Sequence, residues 1–185
     1  MMSQEHLEEA KQVKQDADLL CSKEQVEAAF DKMAAEITAK LADTNPLVLC
    51  ILTGGVIPSG MLLPRLNFPL MTDYIHATRY GHKTDGGELD WIVKPHKPLK
   101  DRVVLLVDDI FDEGLTLEAI VHDCKEAGAK EVYTAVLVEK IKQRKPELKI
   151  DFVGLMVEDH YLFGYGMDYK HYWRNADGIY AVKGL

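Results

Sequence analysis

The sequence predicts an α/β domain, a parallel sheet flanked by helices, and three observations lead there. Val103 to Val107 is an unbroken apolar run, the mark of a strand buried on both faces inside a parallel sheet. Comparable runs stand at Pro46–Leu52, Val132–Val138 and Asp151–Val157, and helical patterns lie among them. At 185 residues, with 47% apolar and 28% charged residues, the chain has the length and composition of one soluble globular domain with a real core.

Residues 1 to about 20 form a polar, acidic extension that reads as an extra helix or a partly disordered segment. Ser22 and Gln25 have the spacing of a capping box. Val26, Phe30, Met33, Ile37 and Leu41 then make an apolar stripe at helical spacing, so a helix runs to about Leu41 with that stripe in the core. The strand Pro46–Leu52 ends in Thr53-Gly54-Gly55. Paired glycines let backbone amides approach a ligand closely. On spacing alone, a short turn at the base of a helix is an equal reading. A helix over Ile57–Leu66 follows, then a third strand over Leu70–Ala77. The segment from Tyr80 to His96 is rich in Gly, Asp, Lys and His. It reads as a lid, or as an exposed hairpin with Leu89–Val93 as one arm, and the two are compatible.

Val103–Val107 leads into Asp108, Asp109, Asp112 and Glu113, then Gly114 and Thr116. Leu117, Ile120, Val121, Cys124 and Ala127 continue with helical spacing, and Gly128 marks the stop. Val132–Val138 ends in Glu139-Lys140; residues 141–149 form a basic loop, most simply a solvated turn. After Asp151–Val157 comes an aromatic and glycine-rich stretch from Glu158 to Tyr169, which alone would read as core. Ile179–Val182 can close the structure as a short strand.

The formal net charge of −8 argues against a general nucleic-acid or anionic-membrane surface, and means that a polyanionic ligand needs local cations or a metal. Cys21, Cys50 and Cys124 are odd in number and lack zinc-like spacing, as expected of reduced thiols in a cytoplasmic protein. The N-terminal residues have no apolar core, so they do not read as a signal peptide. Thr44–Pro64 carries no charge, but Pro46, Gly54, Gly55, Pro58 and Gly60 interrupt it, which reads as strand, loop and helix rather than a membrane span.

The acidic loop carries the chemistry. Carboxylates at a strand end can bind sugar hydroxyls, hold Mg²⁺, or accept a phosphoryl group. The first amides of the following helix, with the Thr116 hydroxyl, make a site for a phosphate. A solvated strand end with a capped helix is the bland alternative. Four acids in six residues followed by Gly-x-Thr favour a ligand, and a metal-bound sugar phosphate has all three features.

At these residues the chain resembles a family. V-L-L-V-D-D-I-F-D-E-G-L-T-L is similar to the phosphoribosyl pyrophosphate (PRPP) motif of type I phosphoribosyltransferases, and the flanks narrow the likeness to the hypoxanthine-guanine enzymes over about residues 15–183. The resemblance implies a type I phosphoribosyltransferase-like sheet in a single domain of residues 1–185. Within it would lie a flap at about 80–98 with Tyr80 near its start, and a purine-binding hood at about 157–185 helped by the N-terminus. It implies that Asp108 and Asp109 bind the ribose, Glu113, Gly114, Leu115 and Thr116 the 5-phosphate, and Thr53, Gly54 and Arg174 the pyrophosphate. Asp112 would be the acid/base near purine N7, and Lys140 would bond the 6-oxo group. Tyr161 would stack on the base, the Leu162 backbone would meet its Watson–Crick edge, and Asp168, in that purine segment, would lie by Mg²⁺ together with Asp108 and Asp109. Thr53, Glu113 and Leu115 depart from the residues usual at those places: a lysine, a small hydroxylated residue and a polar residue. The implied reaction transfers phosphoribosyl from PRPP to hypoxanthine or guanine, giving IMP or GMP and pyrophosphate, in a cytoplasmic homodimer or homotetramer. A regulator of the same fold that binds nucleotide and RNA is the alternative, which the charge of −8 opposes.

Overall fold

A computed structural model describes residues 4–79, 89–142 and 147–184. The chain runs α1 (Gln4–Asp16), β1 (Asp18–Cys21), α2 (Lys23–Leu41), β2 (Leu47–Ile51) and α3 (Val56–Leu62), with a 3₁₀ turn at Leu63–Arg65. Then come β3 (Met71–Arg79), β4 (Leu89–Val93), β5 (Val103–Phe111), α4 (Leu115–Glu126), β6 (Glu131–Ile141), β7 (Phe152–Glu158), β8 (Leu162–Phe163) and β9 (Ile179–Ala181).

The main sheet has the order β4-β3-β2-β5-β6-β7. Pairing is parallel from β3 through β7, so the ends of β2, β5 and β6 open on one side of the molecule. The sheet is not wholly parallel, however. β4 joins its edge antiparallel to β3, as the arm of the hairpin. Trp91 ties that arm to α4 by donating from Nε1 to Asp123 Oδ2 at 3.0 Å.

Both faces of β5 are covered, as its apolar run requires. On one side Val103, Leu105 and Val107 pack with Phe30, Met33, Ile37 and Leu41 of α2. On the other Val104 and Leu106 pack with Leu117, Ile120, Val121 and Cys124 of α4. Each such side chain, when fully buried, contributes about 1.5–3 kcal/mol. The capping box starts α2: Ser22 Oγ accepts from the Gln25 amide while Gln25 Oε1 accepts from the Ser22 amide. α3 ends earlier than the expected Leu66, because Pro64 lacks an N–H and crowds the carbonyl four residues back.

A second, three-stranded sheet, β1-β9-β8, forms the hood. β9 therefore closes the hood and not the main sheet. From Gln4 the extension is ordered as α1 and β1, and β1 pairs antiparallel with β9. Val13 and Ala17 pack on Phe163, Tyr169, Ala176 and Val182, and the Phe163 and Tyr180 rings stack with centroids 5.4 Å apart. Among the described residues no helix is long and apolar enough to cross a membrane.

Candidate active site

β5 does not stop at the acids; it runs through them to Phe111. Its alternation breaks there instead. Val107 and Ile110 face the α2 side, three residues apart where alternation needs two or four, and the Asp109 amide donates to Asp108 Oδ1 at 2.9 Å. The charges are thus carried on a continuing strand that sets them in the sheet. Asp109 is 7% exposed. Burial pushes its carboxyl above the usual range, and burial together with the neighbouring Asp109 charge pushes Asp108 well above it.

Three segments meet at Asp109. A Cβ on Gly54 would overlap its carboxylate, with Oδ1 at 2.6 Å and Oδ2 nearer. A Cβ on Gly166 would lie 2.8 Å from Asp109 Cβ and closer still to the Gly54 carbonyl oxygen. Gly166 is required by space and by its φ of 114°, while at Gly54 a side chain would displace the Asp109 carboxylate. Arg174 completes the group. Its Nη1 donates to the Gly166 carbonyl at 2.5 Å and lies 3.9 Å from Asp109 Oδ2, while Nη2 pairs with Asp168 Oδ1 at 2.6 Å. Thr53 is exposed on the turn before Gly54, and the Leu52–Thr53 peptide bond is cis.

Beyond β5, Gly114 (φ 78°) precedes α4 with no side-chain cap, and the first bond of the helix runs from the Glu118 amide to the Gly114 carbonyl. The amides of Leu115, Thr116 and Leu117 are left without partners inside the helix, which suits an anion. The Glu113 and Leu115 side chains, at both departures from the usual pattern, are exposed.

Asp112 lies on the opposite flank, against the ends of β6 and β7. Lys140 Nζ is 3.1 Å from Asp112 Oδ2 and 3.0 Å from Asp159 Oδ1. Lys142 pairs with Asp112 Oδ1 and lies 3.7 Å from Asp159 Oδ2, and the Asp112 carboxylate raises its ammonium pKa. Lys140, in turn, holds the Asp159 carboxyl below its ordinary value. Four charges therefore alternate around a ring. The sequence assigns no role to Lys142 or Asp159, and Lys142 stands in the basic loop that reads most simply as a solvated turn. Its spacing of two from Lys140 was the available signal, since β6 continues to Ile141 and the pair shares a face.

Tyr161 sits just before β8 with 42% exposure, its ring edge-on to Tyr169 at 5.6 Å between centroids. Leu162, which follows Tyr161, is buried in the core and pairs with Ala181 of β9 in the hood ladder. Tyr80 lies outside the described residues.

The residues present suit Mg²⁺. Arg174 lies beside the buried Asp109 and pairs with the half-buried Asp168, and carboxylate oxygens are ligands that Mg²⁺ takes one or two at a time beside substrate phosphates. Among the described residues no three His, Cys, Asp or Glu side chains converge to hold an ion unaided.

Carboxylates and free helix amides at the strand ends, a second small sheet as a hood and a charged flank beside them make the kind of fold and site that a phosphoribosyl-transferring class of protein uses. The family model for the phosphoribosyl transferase domain matches residues 18–171, and the chain belongs to that family. Within it, the chain is 32% identical over 166 residues to the hypoxanthine-guanine phosphoribosyltransferase of Bacillus subtilis, covering 89% of this chain and 92% of that one. It is 31% identical to the hypoxanthine-guanine-xanthine phosphoribosyltransferase of Tritrichomonas foetus, over 89% of this chain and 91% of that one. The solved hypoxanthine-guanine phosphoribosyltransferase of Bacillus anthracis superposes with a TM-score of 0.84 at 26% identity, covering 89% and 98%. These relatives place the chain among the hypoxanthine-guanine phosphoribosyltransferases, as an enzyme of purine salvage.

Proposed function

We propose that this enzyme transfers the 5-phosphoribosyl group of PRPP to N9 of hypoxanthine or guanine, giving IMP or GMP and pyrophosphate, with residue roles as follows. The observation that carries the reading is Lys140 Nζ at 3.1 Å from Asp112 Oδ2. A donor beside an acceptor matches the O6 and N7–H edge of a 6-oxopurine. Adenine would set its amino group, another donor, against the ammonium. Tyr161 supplies the stacking face, and the Leu162 backbone meets the far edge of the base.

Asp108 and Asp109 accept from the ribose hydroxyls, and the first amides of α4 with Thr116 hold the 5-phosphate. Bound Mg²⁺, held by Asp108, Asp109 and Asp168 with the pyrophosphate oxygens, would neutralise charge on the leaving group. Arg174 pairs with the same group through its planar fork, and Gly54 lets the backbone come close. As the C1–O bond to pyrophosphate breaks, N9 takes the sugar and Asp112 accepts the N7 proton. General-base help of this kind contributes about 10²–10⁴ in rate.

The enzyme works in the cytoplasm as a homodimer or homotetramer, an expectation that rests on the family likeness and is checked by light scattering. The RNA-binding alternative finds no support among relatives named as enzymes. PRPP- and Mg²⁺-dependent turnover of hypoxanthine, guanine, xanthine and adenine, followed by absorbance, tests the reading. Turnover of hypoxanthine or guanine with adenine inert supports it. Equal use of adenine would overturn the roles of Lys140 and Asp112.

A further inference from the structure

We infer that the N-terminal helix α1 is a positioning brace for the substrate site, with Glu9 acting on the purine side and the Ala10 carbonyl on the pyrophosphate side. The inference rests on the proposed roles of Tyr161, Asp168 and Arg174. It begins with the backbone between the last two. Lys170, His171 and Trp173 have φ values of 48°, 72° and 67°, so three of four consecutive non-glycine residues are left-handed. Such a turn persists only where its surroundings hold it.

Part of that hold is local: the His171 amide donates to Asp168 Oδ2 at 2.6 Å, and Tyr169 and Tyr172 exchange backbone bonds. The rest comes from α1, some 160 residues away in sequence. Glu9 Oε1 accepts from the Tyr169 hydroxyl at 2.8 Å and from Lys170 Nζ at 2.6 Å. Trp173 Nε1 donates to the Ala10 carbonyl at 2.6 Å, and Ala10 is buried.

Each contact leads to a different part of the site. Tyr169, fixed at its hydroxyl by Glu9, sets its ring against Tyr161, the stacking ring. Trp173 precedes Arg174, whose guanidinium spans Asp109 and Asp168. A helix that merely covered the hood core would do so through Val13, with Ala17 just after it, and would need neither polar contact. Three hydrogen bonds, two to Glu9 at one end of a strained turn and one to Ala10 at the other, make α1 part of the geometry of the site.

The test compares Glu9→Ala, Glu9→Gln, Tyr169→Phe and Trp173→Phe in the full chain, with Tyr161→Ala as reference. Glu9→Ala and Tyr169→Phe should raise the KM for hypoxanthine about ten-fold, the factor that one hydrogen bond to a charged group represents, with the KM for PRPP unchanged. Trp173→Phe should raise the KM for PRPP and leave that for hypoxanthine unchanged. Glu9→Gln should keep the parent's kinetics, because its amide oxygen still accepts from Tyr169. The brace is overturned if Glu9→Ala and Trp173→Phe keep both KM values while Tyr161→Ala loses purine affinity. It is equally overturned if every parameter falls together with the unfolding temperature, the result of a purely structural helix. Should Glu9→Ala fail to fold, Tyr169→Phe tests the same bond. An unchanged hypoxanthine KM in Tyr161→Ala would instead overturn the site reading and the brace with it.

Discussion

Replacing Gly166 by alanine should cost both stability and the PRPP site, and the structure gives the size of the loss. At a φ of 114° an L-residue is strained by about 1–3 kcal/mol. The added methyl would collide with the Gly54 carbonyl oxygen and lie 2.8 Å from Asp109 Cβ, and overpacking of this kind costs about 1–3 kcal/mol more. Neither neighbour can swing aside, because one is backbone and the other is the stem of a buried residue. A loss of about 2–6 kcal/mol is large beside a typical total of about 5–15. Gly54→Ala separates the two effects. Its methyl meets only the Asp109 carboxylate, a side chain that can rotate, so it should fold with a smaller loss while displacing Asp109. Urea unfolding followed by tryptophan fluorescence gives the stabilities, and initial rates against PRPP give the binding. Gly60→Ala, where a Cβ meets nothing within 4 Å, is the control and should be neutral or better. An unshifted urea midpoint for Gly166→Ala, with normal PRPP kinetics, would refute the close convergence of the three segments on Asp109.

Asp112→Asn should keep substrate binding and lose about 10²–10⁴ in kcat; a near-normal kcat would remove Asp112 from the mechanism. Asp108→Asn should abolish productive PRPP binding yet stabilise the ligand-free protein at pH 8. A carboxyl whose folded pKa is raised carries no penalty below its unfolded value, about 3.9, and destabilises increasingly as pH rises through the folded value. Each kcal/mol so relieved raises the unfolding temperature by about 2–4 °C, and the gain should vanish toward pH 4; a lower unfolding temperature at pH 8 would reverse the sign. Burial pushes the Cys124 thiol up to about 11, which leaves about one thiolate in a thousand at pH 8. Iodoacetamide should therefore spare Cys124 until the protein is unfolded, and labelling of the native protein at the rate of a free thiol would contradict its burial.

What could be read from the sequence was whatever repeats over a short window. The α2 stripe with its Ser22–Gln25 box, and the Val103–Val107 run, each stand in the structure as expected. The acids were harder to place. Charge after an apolar run looks like a strand end, but Asp108 to Phe111 stay in the ladder because β6 continues beside them as far as Glu139. Short elements held by distant partners left no local trace. β1 has four residues, two of them exposed, and exists through its pairing with β9. No window joins Glu9 to Tyr169, so the sequence leaves the extension as an extra helix or a partly disordered segment with no contact of its own. The positions assigned to site residues came from the likeness to a family; that Arg174 lies between Asp109 and Asp168 came only with the fold.

The charge distribution bears on how an acidic protein of net charge −8 can handle PRPP. Asp108 and Asp109 repel one another and, among the described residues, have the Arg174 guanidinium near them, an arrangement that favours arrival of the substrate together with its divalent cation. The purine flank is balanced differently. Asp112, Lys140, Asp159 and Lys142 alternate in sign and sum to zero, so they hold their positions before any ligand is present. On the proposed mechanism, Asp112 loses its charge when it accepts the purine proton, and the ring is left with one positive charge in excess. That excess arises as negative charge collects on the departing pyrophosphate. Fixed charges act strongly in a site from which water is excluded. The ring that on this reading orients the base thus favours the products' charge distribution, and Lys142, which like Asp159 has no assigned contact to substrate, supplies the cation that makes the excess.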